Sequence, residues 1–339
     1  MARDDPDGVI KDVNDRISNY KRTVHALHAF IGLTIWHDGD FMADTHYGLG
    51  RRMDTSPQNQ VAAATTVTPD GVIQRSDALG YVAEAKSSLP KDQNAWRDEV
   101  LQLRKYDDDL GGWWTTDGTI PHHDLAVLVG APRAEAFELY ARNLAESEQW
   151  SFARPLCFIE FSLDTQAAPY VYLRRHHGSV TDPVVAEKLR ERPMIPLEGL
   201  VVTFSSRKFY DSKPPREYLM ETLWQHVFTP MKAEVEYDRP SRCWPLTVAV
   251  DGLCTELRSA FGSVGNEDRE VAYPHNSWVR EALEAFTDIG LARGENDGGY
   301  TILFRKITGD IVVKFARDLA TAARSSVPLA ATQLPLPEA

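Results

Sequence analysis

The sequence predicts an α/β protein: a mixed sheet flanked by helices, followed by a smaller C-terminal domain of helices and a short hairpin. Three observations carry that expectation. Val9, Val13, Ile17, Val24, Leu27 and Phe30 recur at helical spacing. Two extended runs, starting at Val67 and Tyr81, flank a turn-forming stretch at 77–80. Residues 125–129 are wholly apolar, as in a strand buried on both faces of a parallel or mixed sheet. At 339 residues the chain exceeds one average domain. Two are expected, at 1–235 and 240–325, with 326–339 a disordered tail.

In chain order, 8–31 reads as a helix and the polar 37–60, with Gly48 and Gly50, as a loop. Val67 starts a strand that carries Asp70 at its turn and that Val72 and Ile73 can continue. Residues 81–86 form its partner, ended by Leu89-Pro90. Asp92 or Asn94 caps a helix running to about Leu110, with Trp96, Val100 and Leu103 as its buried stripe. Pro132 opens a helix to about Glu148. Strands follow at 155–163 and 169–175, a helix near 183–191, a strand at 199–204 and a helix at 215–229. Beyond a linker edge at 240–245, helices are expected at about 246–261 and 275–289. Two short strands around a glycine-rich tip lie between 290 and 304, and a last helix covers 309–324.

The bulk numbers narrow the function. A net charge of −12 argues against a protein that coats nucleic acid, although a local basic groove can sit on an acidic body. No run of 18 apolar residues exists, so no membrane span is expected. The acidic N-terminus does not read as a signal peptide. Cys157, Cys243 and Cys254 are odd in number and widely spaced, which suits a cytoplasmic protein and gives neither a disulfide framework nor a zinc pattern.

The chemistry concentrates between 69 and 106. Alternation along a strand puts Val82, Glu84 and Lys86 on one face, with Glu84 and Lys86 roughly 6.5–7 Å apart. Asp70 can reach that face from the neighbouring strand. Two carboxylates and the Ala85 carbonyl would give Mg²⁺ three protein ligands. Lys86, beside two carboxylates, stays protonated and suits charge stabilisation better than general base work. Gln102 and Tyr106, four apart on the next helix, can bond a metal water or a phosphate without adding charge. Arg104 and Lys105 add positive charge nearby.

Pro69-Asp70 followed by Glu84-Ala85-Lys86 resembles the PD-(D/E)XK nuclease superfamily. Gln102 and Tyr106 resemble the extra motif of its RecB-like and Cas4-like branch. The resemblance covers about residues 1–130 and extends toward 230. It implies a restriction-endonuclease-like mixed sheet, Mg²⁺ or Mn²⁺, and hydrolysis of DNA. It makes Asp70 and Glu84 metal ligands and Lys86 the catalytic lysine. One departure stands out: the family often has a Glu or His on the first helix, and no Glu precedes Glu84 here. His25, His28 and Asp44 are substitutes. The segment 290–304, after a helix, resembles the wing of a winged helix-turn-helix.

Other features have plainer readings. Asp107-Asp108-Asp109 reads as a solvated helix end. His122-His123-Asp124 and His176-His177-Gly178 read as surface turns rather than metal sites. Trp113 and Trp114 pack on the core or stack on a base. Arg51 and Arg52 are candidate phosphate contacts in the first domain, Arg280 and Arg293 in the second. The expected activity is a Mg²⁺-dependent deoxyribonuclease, in restriction, repair or anti-phage defence, acting on DNA alone or with a protein partner or as a homo-oligomer. The alternatives are an inactive nuclease-fold regulator that binds DNA through its winged helix, and a protein–protein adaptor.

Overall fold

A computed structural model describes residues 6–37, 40–41, 45–56, 66–87, 89–164, 169–204, 208–210, 212–261, 273–296 and 298–325. The expected tail at 326–339 and the candidate Asp44 lie outside them. Contacts divide the chain into two units. One comprises 18–214 and 254–275; the other comprises 1–17, 215–253 and 276–339. The units interleave along the chain, whereas the expected boundary at 235–240 is a single cut.

The first unit is built on a seven-stranded mixed sheet. Its strands lie in the order Met194–Pro196, Tyr170–Gly178, Leu156–Asp164, His122–Gly130, Leu79–Lys86, Gly71–Ser76 and His46–Leu49. The His122–Gly130 strand runs parallel to both its neighbours, and the other pairings are antiparallel. The topology follows from the connections. A two-residue turn joins Gly71–Ser76 to Leu79–Lys86 as a hairpin. Helices Trp96–Arg104 and Ala134–Ser147 supply the longer crossovers that parallel neighbours need. Trp96, Val100 and Leu103 pack with Phe137, Val127 and Phe158 on one face. The first helix is Pro6–Ile35, and its residues 18–35 cover the other face: Phe30 meets Tyr81 edge-on at 5.8 Å, and Leu27 lies over Gly71. Thr66–Val67, Met53–Ser56 and Asp109–Gly111 form a separate small sheet.

Three expectations in this unit need correcting. The helix expected to reach Leu110 ends at Arg104, where the Lys105 and Tyr106 N–H groups bond the Gln102 and Leu103 carbonyls respectively. Three consecutive aspartates would oppose the negative end of that helix dipole, and Asp109–Gly111 pairs as a strand instead. Residues 199–204 lie in a helix, Leu197–Phe204, not a strand. Leu200 and Phe204, four apart and both buried, set its inward face and override the β-branched run between them. The expected loop at 37–60 contains the strands His46–Leu49 and Met53–Ser56, the first pairing with the hairpin.

The second unit holds helices Arg216–Thr222, Asn276–Asp288 and Ile311–Ser325 around an antiparallel sheet ordered Trp244–Val248, Tyr300–Phe304, Ala292–Gly294. The two strands expected around the glycine-rich tip do pair. The strand Trp244–Val248 replaces the start of the helix expected from 246, which begins at Val250. Leu246 and Val248 are buried in alternation with exposed Thr247, and Pro245 is tolerated because this strand is a sheet edge. The core centres on Trp224, whose ring lies 4.8 Å from Phe304, 5.4 Å from Phe286 and 5.8 Å from Phe315. Trp224→Ala should therefore cost about 3–5 kcal/mol, read as a lowered urea midpoint by circular dichroism. A midpoint shift below about 1 kcal/mol would mean that Trp224 is not the centre of this core. No helix among the described residues is long and apolar enough to cross a membrane. Cys157, Cys243 and Cys254 are buried free thiols.

Candidate active site

The hairpin register sets the site. Gly71 pairs with Ala83, so the ladder ends one residue after Asp70. There the Asp70 side chain takes over from the backbone: Ala85 N–H donates to Asp70 Oδ2 at 2.8 Å. The Asp70 carbonyl accepts from Gly50 N–H at 3.0 Å, so three strands meet at this residue. The bond to Ala85 fixes Asp70 against the middle of the Glu84-Ala85-Lys86 triplet.

On the next layer, alternation works as the sequence implies. Lys86 Nζ donates to Glu84 Oε1 at 3.0 Å and to Gln102 Oε1 at 2.9 Å. Tyr106 O–H donates to Glu84 Oε2 at 3.2 Å, and Gln102 Nε2 lies 3.3 Å from the same hydroxyl. Asp70, Glu84, Lys86 and Tyr106 are all buried. Tyr106 stands just past the helix end in a tightened turn, its N–H bonding the Leu103 carbonyl. Its place is fixed from behind by His123, whose Nε2–H donates to the Tyr106 carbonyl at 2.8 Å.

Two further residues join this group. Glu99, one helical turn before Gln102, brings Oε2 to 2.5 Å from Lys86 Nζ. Its signal in the sequence is that three-residue offset, which places it on the Gln102 side of the helix. Tyr210 lies beyond the sheet in sequence, stacked on Tyr20 at 4.9 Å, and its hydroxyl bonds Thr23 and Ser212. Burial first, then the nearby Asp70 carboxylate, with Glu84 adding, pushes its pKa up to about 12. No sequence pattern announces Tyr210. The first helix therefore presents Tyr20 and Thr23 near this cluster, and Thr23 also bonds Ser87. His28 stacks on Phe204 instead. His25 is held neutral by burial and the nearby Lys21, its pKa lowered to about 4.

The electrostatics favour a cation. Burial pulls Lys86 down, but Glu84, Glu99 and Asp70 outweigh it and hold the ammonium above its ordinary value. Three carboxylates, Glu84, Glu99 and Asp70, act on this one ammonium. Among the described residues no three His, Cys, Asp or Glu side chains form a ready-made ligand set. A hard divalent ion would rest on Asp70, Glu84, the Ala85 carbonyl and water, an all-oxygen set that suits Mg²⁺ or Mn²⁺.

The candidate cations are less uniform. Arg51 is buried, its Nε and an Nη bonding the Gly112 carbonyl at 2.8 and 2.6 Å, with its guanidinium 3.9 Å over Trp114. It braces the Trp114 loop rather than facing solvent, because its guanidinium finds an acceptor and an aromatic face inside. Arg52 and Lys105 are exposed; Arg104 is exposed and lies 4.7 Å over Trp150. Arg280 and Arg293 are exposed on the second unit. A groove of 730 Å³ beside Trp114, Asp117 and Pro121 includes Asp77, at the other end of the hairpin strand from Asp70, so it is not this site.

His122-His123-Asp124 is not the expected surface turn. It opens the His122–Gly130 strand, with His123 and Asp124 fully buried. Asp124 accepts from the Thr181 N–H and hydroxyl and pairs with His122 Nε2 at 2.8 Å. Burial holds the His123 pKa down at about 4 against an ordinary 6.5. A depressed folded-state pKa means the unfolded chain takes the proton first. Stability from His123 is thus complete above about pH 6.5 and lost as pH falls toward 4, by about 3 kcal/mol. Urea melts at pH 7 and pH 4.5 measure this; His123→Gln should flatten the difference, and an unchanged pH dependence would refute the assignment. No family model, curated protein or solved structure matches this chain.

Proposed function

We propose that this chain is a Mg²⁺- or Mn²⁺-dependent phosphodiesterase acting on DNA, of the PD-(D/E)XK kind, with a winged-helix-like second unit. One observation carries the reading. The side chains of Glu84, Lys86, Gln102 and Tyr106 are joined in one hydrogen-bonded cluster, and Asp70 bonds the Ala85 N–H beside it. A mixed sheet alone would support many functions.

In this reading, Asp70 and Glu84 would hold the ion, which when bound would supply Lewis-acid polarisation of the phosphate and activation of water. Lys86 stabilises the growing charge on the phosphoryl oxygens, since its raised pKa keeps the proton on. Gln102 and Tyr106 orient Glu84 and Lys86 through hydrogen bonds without adding charge. The Asp70–Ala85 bond fixes the spacing between the two carboxylate-bearing strands. Exposed Arg52, Arg104 and Lys105 are the candidate phosphate contacts of the first unit, and Arg280 and Arg293 serve the second.

The experiment is plasmid cleavage with Mg²⁺ or Mn²⁺, with a parallel EDTA control. Cutting that appears only with the divalent ion supports the proposal. A second reading draws on one observation: all three Lys86 contacts, with Glu84, Glu99 and Gln102, are internal, as in a purely structural ion-pair network. It makes the chain a non-cutting DNA-binding regulator. Salt-sensitive duplex binding without cleavage under any divalent ion would select it.

A further inference from the structure

We propose, resting on the reading that this chain acts on DNA, that the second unit meets the DNA backbone through the outer face of its three-stranded sheet and the turn at 239–242, not through the helix Asn276–Asp288.

Strand register builds the face. Trp244 pairs with Phe304, Thr247 with Thr301, and Arg293 also with Thr301. Leu246, Ala292, Ile302 and Phe304 are buried. Alternation therefore turns Thr247, Thr301 and Arg293 to the opposite face, and Arg305, one residue past its strand, follows them. Asp238 and Cys243 exchange backbone hydrogen bonds of 2.8 and 3.3 Å, which close the turn that carries Arg239 and Arg242. Burial and then Asp238 push the Cys243 thiol up, while Arg293 and Arg305 oppose them, so both arginines lie near this turn.

The charges on this surface are unspent. Arg239, Arg242, Arg293, Arg305 and Lys306 are all exposed, and among the described residues none of them has an ion pair or a side-chain hydrogen bond. Arg97, Arg174 and Arg190, about as exposed elsewhere, are paired with Glu148, Glu160 and Glu187. Within 239–247 and 291–306 the acids are Glu295 and Asp297 alone, in a chain whose net charge is −12. Glu236 and Asp238 precede the turn. A basic face on an acidic body attracts a polyanion locally. Arg293 and Arg305 stand about 14 Å apart across the face, enough to span about four nucleotide steps of one strand at about 3.4 Å each.

The helix Asn276–Asp288 has the opposite balance. Its exposed charges are Glu281, Glu284 and Asp288 against Arg280. A helix laid in the major groove has phosphates on both sides, and three carboxylates there are repelled. Arg280 is therefore the weaker of this unit's two candidate phosphate contacts.

The test is binding of a short labelled duplex by the full chain in EDTA, read by fluorescence anisotropy over a series of NaCl concentrations. Affinity should fall steeply with salt. Arg242→Ala, Arg293→Ala and Arg305→Ala should each weaken binding severalfold and lower the logarithmic salt slope by about one. The triple variant should lose roughly a hundredfold at about 0.15 M salt, with unchanged circular dichroism. Arg280→Ala should cost less than Arg293→Ala. Full affinity in the triple variant overturns the proposal, as does a larger loss in Arg280→Ala than in Arg293→Ala, or a wild type that does not bind the duplex. EDTA keeps this outcome separate from cleavage. The predicted binding pattern in a chain that cuts with no divalent ion upholds this surface and sinks the phosphodiesterase reading. Metal-dependent cutting with undiminished binding in the triple variant does the reverse.

Discussion

Glu84→Gln should lower Mg²⁺-dependent DNA cleavage by about a thousandfold or more, roughly 4 kcal/mol of barrier, while the protein stays folded. The substitution keeps shape and hydrogen-bonding capacity but removes the charge. In the wild type, Glu84 Oε1 faces Lys86 and Oε2 faces Tyr106. An amide can still accept from one of these, so the cluster persists. On the proposed reading, the cation would lose one of its two carboxylate ligands. Cleavage at saturating Mg²⁺ separates weakened metal binding from lost chemistry. Recovery of the full rate at high Mg²⁺ would show that Glu84 only tunes affinity. Wild-type activity at ordinary Mg²⁺ would remove Glu84 from the mechanism.

The second large effect concerns Lys86. Lys86→Met keeps the length of the side chain and removes the ammonium from a buried set of carboxylates. Breaking a buried pair from one side costs about 3–5 kcal/mol because the partner charge stays behind. Glu84 and Glu99 would then lose the ammonium that each contacts. Mg²⁺ should stabilise this variant more than the wild type, since it restores the missing positive charge. The double variant Lys86→Met/Glu99→Gln should recover part of the loss, a coupling that a double-mutant cycle quantifies. Urea midpoints with and without Mg²⁺ give all of these. A Lys86→Met variant as stable as wild type at pH 7 would show that the Lys86 ion pairs do not stabilise the fold.

Much of this arrangement is legible in the sequence because strands have a short, rigid period. Glu84 and Lys86 are two apart, so one strand assignment settles that they share a face, and the 3.0 Å contact follows. Asp70 is legible because a hairpin with a tip near Asp77 returns it to the level of Ala85. Gln102 and Tyr106 meet as a helical pair would, although Tyr106 lies past the helix end. What stays hidden depends on tertiary choices. Glu99 looks like an ordinary first-turn acid of a solvated helix until Lys86 is beside it. Tyr210 reaches the site from a distant segment through a ring stack that no local pattern encodes. Arg51 reads as a surface cation, yet the Gly112 carbonyl and the Trp114 ring draw it inward. The helix at Leu197–Phe204 and the edge strand at Trp244–Val248 went unpredicted for the same reason, since burial rather than intrinsic preference decides short segments. His176-His177-Gly178 ends the strand Tyr170–Gly178 rather than forming the expected surface turn, because the ladder with Leu156–Asp164 continues past a one-residue bulge that no local pattern encodes.

The most direct measurement is a crystal of the protein soaked in Mn²⁺, with data collected to locate the ion by its anomalous scattering. The account predicts a peak between the Asp70 and Glu84 carboxylates, within about 2.2 Å of an oxygen of each, and none there after Glu84→Gln. A soaked crystal with no manganese at these two residues would contradict it.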